Sequence, residues 1–271
     1  MESRNPVLSR EFSSANLAGF HEPPPSSQTL QDMYDGPGRV AGADRVMTLD
    51  DVVVKSGILF TILVAAAVGG WYAVQSNPGL VFLPMIVAFV LGMVVSLKRT
   101  VSPPLVMLYA AFEGAFLGGI SYYFQTYATI ASGQPSNIVL QAVIGTFVAF
   151  GVMLLLYKSG RLRATPRFQK MMMIGLFSYL GIALVSLVSA RFGVGGGWGF
   201  YGVGGLGILL CAAGVALAAF TLVLDFDLIE KGIAAGVPEH ESWRASFGLM
   251  VSLVWLYLEL LRLLAILQGR N

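Results

Sequence analysis

Four acidic residues stand within or beside long apolar runs: Glu113, Asp225, Asp227 and Glu259. They are the groups best placed to do chemistry. A carboxylate that faces lipid costs a few kcal/mol on insertion scales, so such residues face a bundle interior, pair with a cation, or mark a path for ions or protons. Glu259 has Arg262 three residues on, on the same helical face, so a purely structural ion pair is one reading of it. Asp225 and Asp227 lie two residues apart, about 200° round a helix, and cannot share a face. Asp227 has Lys231 at i+4 and belongs at the membrane interface, which leaves Asp225 as the buried candidate. Glu113 has no local partner; it is either a protonated, hydrogen-bonded acid in the core or part of an ionic path.

Other chemistries lack their residues. There is no GxSxG, no HExxH, no GxGD intramembrane-protease motif and no P-loop, so no enzyme is expected. His21 and His240 lie far apart in polar segments and read as solvated loop residues. Cys211 is the single cysteine and sits in an apolar run, which excludes an internal disulfide and a CxxC metal or redox pair. The glycine-rich stretch from Gly193 to Gly207 has no strand before it and is expected to be a flexible or tightly packed connector, not a phosphate cradle. A net charge of +2, thinly scattered, gives no reason to expect nucleic acid. No cofactor is implied.

The elements that carry these acids are membrane helices. The chain has 271 residues, 56% of them hydrophobic and only 12% charged, with a mean hydropathy of +0.73, a composition too apolar for a water-soluble globule. Residues 1 to 45 have no apolar run and are rich in Pro, Ser and Gly, and are expected to form a disordered tail. Thr48-Leu49-Asp50-Asp51 is a capping-box pattern just before the first apolar run, so the first helix should start there. Seven stretches long enough to cross roughly 30 Å of hydrocarbon follow. They lie near 56–75, 79–97, 104–124, 138–157, 169–190, 206–228 and 246–267, and turn residues such as Asn77-Pro78-Gly79 and Gly236-Val237-Pro238 break them. The expected fold is an all-α, seven-helix transmembrane bundle over residues 46–271. Gly114 and Gly118 in the third span have the small-residue spacing that lets helices approach closely within a fold.

Lys and Arg are distributed by loop parity. Five precede the first span, and the second, fourth and sixth loops carry two, five and two, making fourteen; the other side has only Arg191 and Arg270. This asymmetry places the N-terminus in the cytoplasm and the C-terminus outside. Trp71 with Tyr72, Tyr122 to Phe124, and Trp198 with Tyr201 fall at the outer ends of spans, as interfacial rings do.

Three stretches carry a family resemblance: "YAAFEGAFLGGIS" in the third span, "LVLDFDLIEKG" at the end of the sixth and "LYLELLRLLAIL" in the seventh. Together, and in this order, they resemble the Bax inhibitor-1 family, most closely its bacterial branch with a long polar N-terminal extension. The likeness runs from about Leu49 to Gln268. It implies a multi-pass protein of the bacterial inner membrane, and an acid pair from the sixth and seventh helices acting as a pH-sensitive latch over a calcium-permeable path. By motif those acids are Asp225 and Glu259, which would also be the residues to meet a bound or permeant calcium. Two departures stand out: the second acid is Glu where the family usually has Asp, and the segment between the acids is about ten residues longer.

Two carboxyl groups in one low-dielectric site cannot both ionise cheaply and titrate as a unit. Deprotonation adds repulsion and supplies the hard oxygen ligands that calcium prefers. A pH-sensitive calcium or cation leak is thus the leading expectation, with Glu113 and Arg262 as supporting intramembrane charges. The alternative is a non-conducting regulatory or scaffolding protein that binds other membrane proteins through the tail. A proton-coupled transporter is less favoured, since no inverted repeat or broken helix pair is visible. Partners beyond the bilayer and the oligomeric state are not set by the sequence.

The charge asymmetry makes a direct prediction. With Cys211 replaced by Ser, single cysteines are introduced at Ser27 and Arg270 in intact cells. A membrane-impermeant thiol reagent should label the second and spare the first; the reverse pattern would overturn the orientation.

Overall fold

The computed structural model describes residues 45–269. The tail expected over residues 1 to 45 lies, apart from Arg45, outside the described residues, as do His21 and Arg270. Seven helices follow in order: α1 (Leu49–Ser76), α2 (Phe82–Leu97), α3 (Pro103–Ser132), α4 (Ile138–Lys158), α5 (Pro166–Arg191), α6 (Gly204–Ala234) and α7 (Glu241–Gln268). Counting α2 with the 3-10 turn before it, all seven are long and apolar enough to cross a membrane. The only β pairing among the described residues is an isolated bridge between Val46 and Pro238. The fold is an all-α polytopic bundle.

Several helices outrun the expected spans. The first begins at Leu49 instead of near 56, the third runs to Ser132, the sixth to Ala234, and the seventh starts at Glu241. Hydropathy marks only the stretch that lies in hydrocarbon, whereas backbone hydrogen bonding continues through interfacial polar residues until a cap ends it. At α1 that cap is the capping box read from the sequence. Thr48 Oγ1 accepts from the Asp51 amide at 3.2 Å, and the Asp51 carboxylate accepts from the Thr48 amide at 3.0 Å.

Helix α7 is the axis of the bundle. It packs against α1, α3, α4 and α6, whereas α2 leans mainly on α3, and α5 on the glycine-rich connector and on α6. Met250, Leu256, Leu261 and Ala265 of α7 are wholly buried, and its buried residues enter four separate apolar clusters of the core. The peripheral helices instead expose Phe89, Phe177 and Leu187, large apolar side chains that suit lipid contact and would be a liability in water.

One end of the bundle, here the N-face, carries Arg45 and the α6–α7 connection. There the Met47 amide donates to the Val237 carbonyl at 2.8 Å, and Lys55 Nζ reaches Glu239 Oε1 at 3.1 Å and Ser242 Oγ at 2.6 Å. At the opposite C-face, the glycine-rich connector folds into two 3-10 turns, Val194–Gly197 and Gly199–Gly202. Gly199 has φ +61° and lies against the Ser186 carbonyl, a position no side chain could share. The connector is therefore tightly packed. Its Trp198 stacks on Phe124 and Tyr127, with ring centroids 5.6 and 4.9 Å away. Tyr201 departs from the expectation: it is buried, not an interfacial ring.

Helices α1 and α3 meet through glycine. A Cβ on Gly114 would overlap the Leu63 carbonyl, one on Gly118 the Ala67 carbonyl, and one on Gly70 the Ala115 carbonyl. The spacing in α3 thus serves packing inside the chain, since backbone meets backbone with no room for a methyl group. Gly118→Val should lower the melting temperature in detergent, equivalent to a loss of about 1–3 kcal/mol from overpacking. Gly151→Ala, where a Cβ meets nothing within 4 Å, should leave it unchanged. Equal melting of both variants would contradict this packing.

Candidate functional site

The interior acids fall into two settings at different depths. Glu259, on α7, is 2% exposed, and its carboxylate is ringed by donors. Trp255 Nε1, one turn earlier, donates to Oε1 at 3.1 Å; Arg262 NH1, three residues on, lies 3.3 Å from Oε1 and 3.4 Å from Oε2. The Arg262 guanidinium also sits over the Tyr201 ring, 4.5 Å from its centroid. The buried hydroxyls of Tyr179 and Tyr201 complete the surroundings. Opposite, on α6, Gly214 makes room: a Cβ there would lie 2.7 Å from Glu259 Oε2. The ion pair that the sequence offered as the structural reading is formed. A buried charge paired with an opposite charge and hydrogen-bonded besides is the arrangement that offsets the cost of its desolvation.

Asp225 stands elsewhere. Its nearest neighbours on α7 are Gly248, where a Cβ would lie 3.8 Å from Oδ1, and Ser252. Gly214 precedes Asp225 by eleven residues on α6, and Gly248 precedes Glu259 by eleven on antiparallel α7. At 1.5 Å per residue the two acids are therefore separated by about 16 Å along the bundle. The structure does not bring them together, either as a latch or as a shared calcium site. The cause is register: the same residues that seat Glu259 against Gly214 place Asp225 three turns nearer the N-face.

What Asp225 does share is a cavity with Glu113. A cavity of about 720 Å³ lies between α2, α3, α6 and α7, and both acids line it, with Tyr109, Ser252 and Gly248. It follows α2 from Leu97 at the N-face to Met85, twelve residues or about 18 Å deeper. No Lys, Arg or His is among its lining residues. Asp225 Oδ2 is fully buried and has no hydrogen-bond partner. Tyr109 stands one turn before Glu113 on α3, and both line the cavity. A phenol can donate a hydrogen bond but cannot neutralise a carboxylate, so Glu113 has no counter-charge. It faces the bundle interior, as its cost in lipid requires.

Other acids find partners at the N-face. Lys231 Nζ meets Asp227 Oδ2 at 2.6 Å, the i+4 interface pair read from the sequence. Tyr157 donates to Glu230, and Arg244 Nε to Glu241 at 2.8 Å. His240 stands beside Glu241 at 3.4 Å and is half exposed. Among the described residues, no group of three or more His, Cys, Asp or Glu comes together as a metal cage.

Spacing alone could have exposed Trp255 beside Glu259 and Tyr109 beside Glu113, since both lie one helical turn away. Tyr179, Tyr201, Gly214 and Ser252 come from segments far away in the sequence, and nothing local marks them.

Residues 5–269, nearly the whole chain, match the family described as Bax inhibitor 1 like. The chain belongs to the Bax inhibitor-1 family. It matches none of the curated proteins. Membership accords with seven apolar helices and identifies a multi-pass membrane protein. It also makes the register of α6 against α7 informative, because in this family member the motif acids of the two helices stand three turns apart.

The ion pair has a testable consequence. Glu259→Gln should destabilise the detergent-solubilised protein by roughly 2 kcal/mol, because it leaves Arg262 without its counter-charge. Pairing it with Arg262→Gln should recover part of that loss, a coupling of about 1 kcal/mol between neighbours. Strictly additive melting shifts would show that the pair does not hold Glu259 in place.

Proposed function

We propose that this protein is a pH-sensitive cation leak of the bacterial inner membrane, with calcium as its permeant ion, gated by intramembrane carboxylates and without enzymatic activity. The carrying observation is Asp225: a carboxyl group on the wall of a cavity that enters the bundle, with no cation and no hydrogen-bond donor on its buried oxygen. A carboxylate so placed draws cations into a low-dielectric space, as acidic groups do in cation-selective pores. A proton on the same oxygen cancels that attraction, which supplies the pH response.

The titratable groups facing this cavity are few. Tyr109 and Glu113 come from α3 and Asp225 from α6, while α2 and α7 contribute no charged residue. Glu259 is excluded from the gate, since Arg262 already neutralises it. The N-face is assigned to the cytoplasm on the strength of the Lys and Arg asymmetry, so the cavity would open inward. Movement of α2, which leans mainly on α3, is the smallest change that would extend the path.

The test is flux in liposomes loaded with a calcium reporter. Wild-type protein should admit calcium at a rate that varies with pH. Asp225→Asn removes the ionisable proton but keeps size and polarity, and should flatten that variation. Glu259→Gln, normalised for folded protein, should preserve it. Absence of flux from the wild type at every pH would overturn the leak and leave the non-conducting scaffold. A pH response lost in Glu259→Gln but intact in Asp225→Asn would move the gate to α7.

A further inference from the structure

The bundle carries a second hollow, away from the acids. Helices α1 and α4 each pack against α3 and α7 but have no substantial packing with one another. Between them lies an apolar groove of about 370 Å³. Val64, Val68, Tyr72 and Phe147 stand exposed along its rim, while Leu117, Leu253 and Val254 are buried in its floor. The rim belongs to membrane-crossing helices, so the groove opens sideways into hydrocarbon, where no water is present. No charged residue lines it. The hydroxyls of its floor spend their protons inside the protein. Ser121 Oγ donates to the Leu117 carbonyl, Tyr257 donates to Ser121 Oγ at 2.6 Å, and Thr146 Oγ1 donates to the Ala142 carbonyl at 2.7 Å. An ion would find no counter-charge there, and water would find no unspent donor in the floor.

We propose that this groove is a binding site for one acyl chain of a phospholipid in the C-face leaflet. Its length fits: α1 lines it from Phe60 to Tyr72, twelve residues or about 18 Å, comparable with one leaflet's half of a roughly 30 Å hydrocarbon core. Its C-face end carries Trp71 and Tyr72, ring types that sit at headgroup level, and Trp71 is held edge-on to Tyr122 at 5.3 Å. Its width fits as well. Spread along that length, the volume gives a mean cross-section of about 20 Å², room for a polymethylene chain. A helix with its side chains is about 10–12 Å across and is too wide to enter. Lipid tails are as apolar as the groove wall, so leaving the bilayer brings the chain no hydrophobic gain. The gain is dispersion, because an unfilled groove forfeits contacts along its walls and a chain lying in it restores them. The chain touches α7, the axis of the bundle, and lies over the hydrogen bond by which Tyr257 joins α7 to Ser121 of α3.

The groove shares no lining residue with the cavity of Glu113 and Asp225, so this site stands or falls apart from the leak. The test uses the full chain in nanodiscs doped with a phosphatidylcholine that carries a diazirine midway along one acyl chain. After irradiation, adducts are mapped by peptide mass spectrometry. They should fall on Val254 and Tyr257 of α7, as well as on exposed side chains such as Phe177 and Leu187 of α5. A diazirine at the end of the chain should shift the groove adducts towards Phe60, and one near the carbonyl towards Tyr72. Val64→Trp, which fills the groove from its rim, should abolish the adducts on α7. Leu187→Trp, on the lipid-facing side of α5, should leave them unchanged. Melting temperatures report whether each variant folds, and Val143→Phe, which fills the groove from α4, replaces Val64→Trp if that variant does not. Adducts confined to exposed side chains overturn the site, as do adducts on α7 that persist in a folded, filled variant. The opposite order of labelling along the groove overturns the assignment to the C-face leaflet. Disulfide-linked dimers of Phe147→Cys in a Cys211→Ser background, with no lipid adducts on α7, would give the groove to a second copy of the chain and likewise overturn the proposal.

Discussion

Glu259 and Arg262 face each other along the most enclosed helix of the bundle, and much of the interior is arranged around that pair. A charge within hydrocarbon must be answered inside the protein. Glu259 is buried on α7, which packs against four other helices. Arg262 answers the carboxylate, Trp255 adds a donor, Tyr201 covers the guanidinium, and Gly214 clears the space on α6. These contacts set the register of α6 against α7. The register in turn sends Asp225 three turns towards the N-face, into the cavity with Glu113.

The same constraint explains how the two ends differ. At the C-face, the glycine-rich connector bends back so that Tyr201 reaches Arg262 and Trp198 reaches α3; glycines with positive φ permit that path. At the N-face, α2 leans mainly on α3, and the space behind it stays open as a cavity lined by two acids. The C-face is closed by aromatic packing, whereas the cavity beside α2 carries two acids.

Much of the architecture is legible in the sequence, because hydrocarbon imposes a length and a composition on any helix that crosses it. The seven spans, the capping box at Thr48, the Asp227–Lys231 pair and the close glycines of α3 all rest on spacing within one helix or on composition, and each appears in the structure. The sites were legible only in part. Glu259 with Arg262 could be read at i+3. The partnership of Asp225 could not, because which residues of α6 and α7 stand level depends on where Gly214, Gly248 and the α6–α7 connection fall in three dimensions. Motif order suggested Glu259 as its partner, and the packing of the antiparallel pair places Glu113 on its cavity instead.

The interior carboxylates divide into Glu259, answered by Arg262, and Glu113 and Asp225, which have no counter-charge. Infrared difference spectroscopy of the protein in nanodiscs across pH reads that division, because a carboxyl group that takes up a proton gains a carbonyl stretching band. Such a band should be lost in Asp225→Asn and kept in Glu259→Gln. A band kept in Asp225→Asn and lost in Glu259→Gln would mean that Glu259, not Asp225, is the acid that titrates.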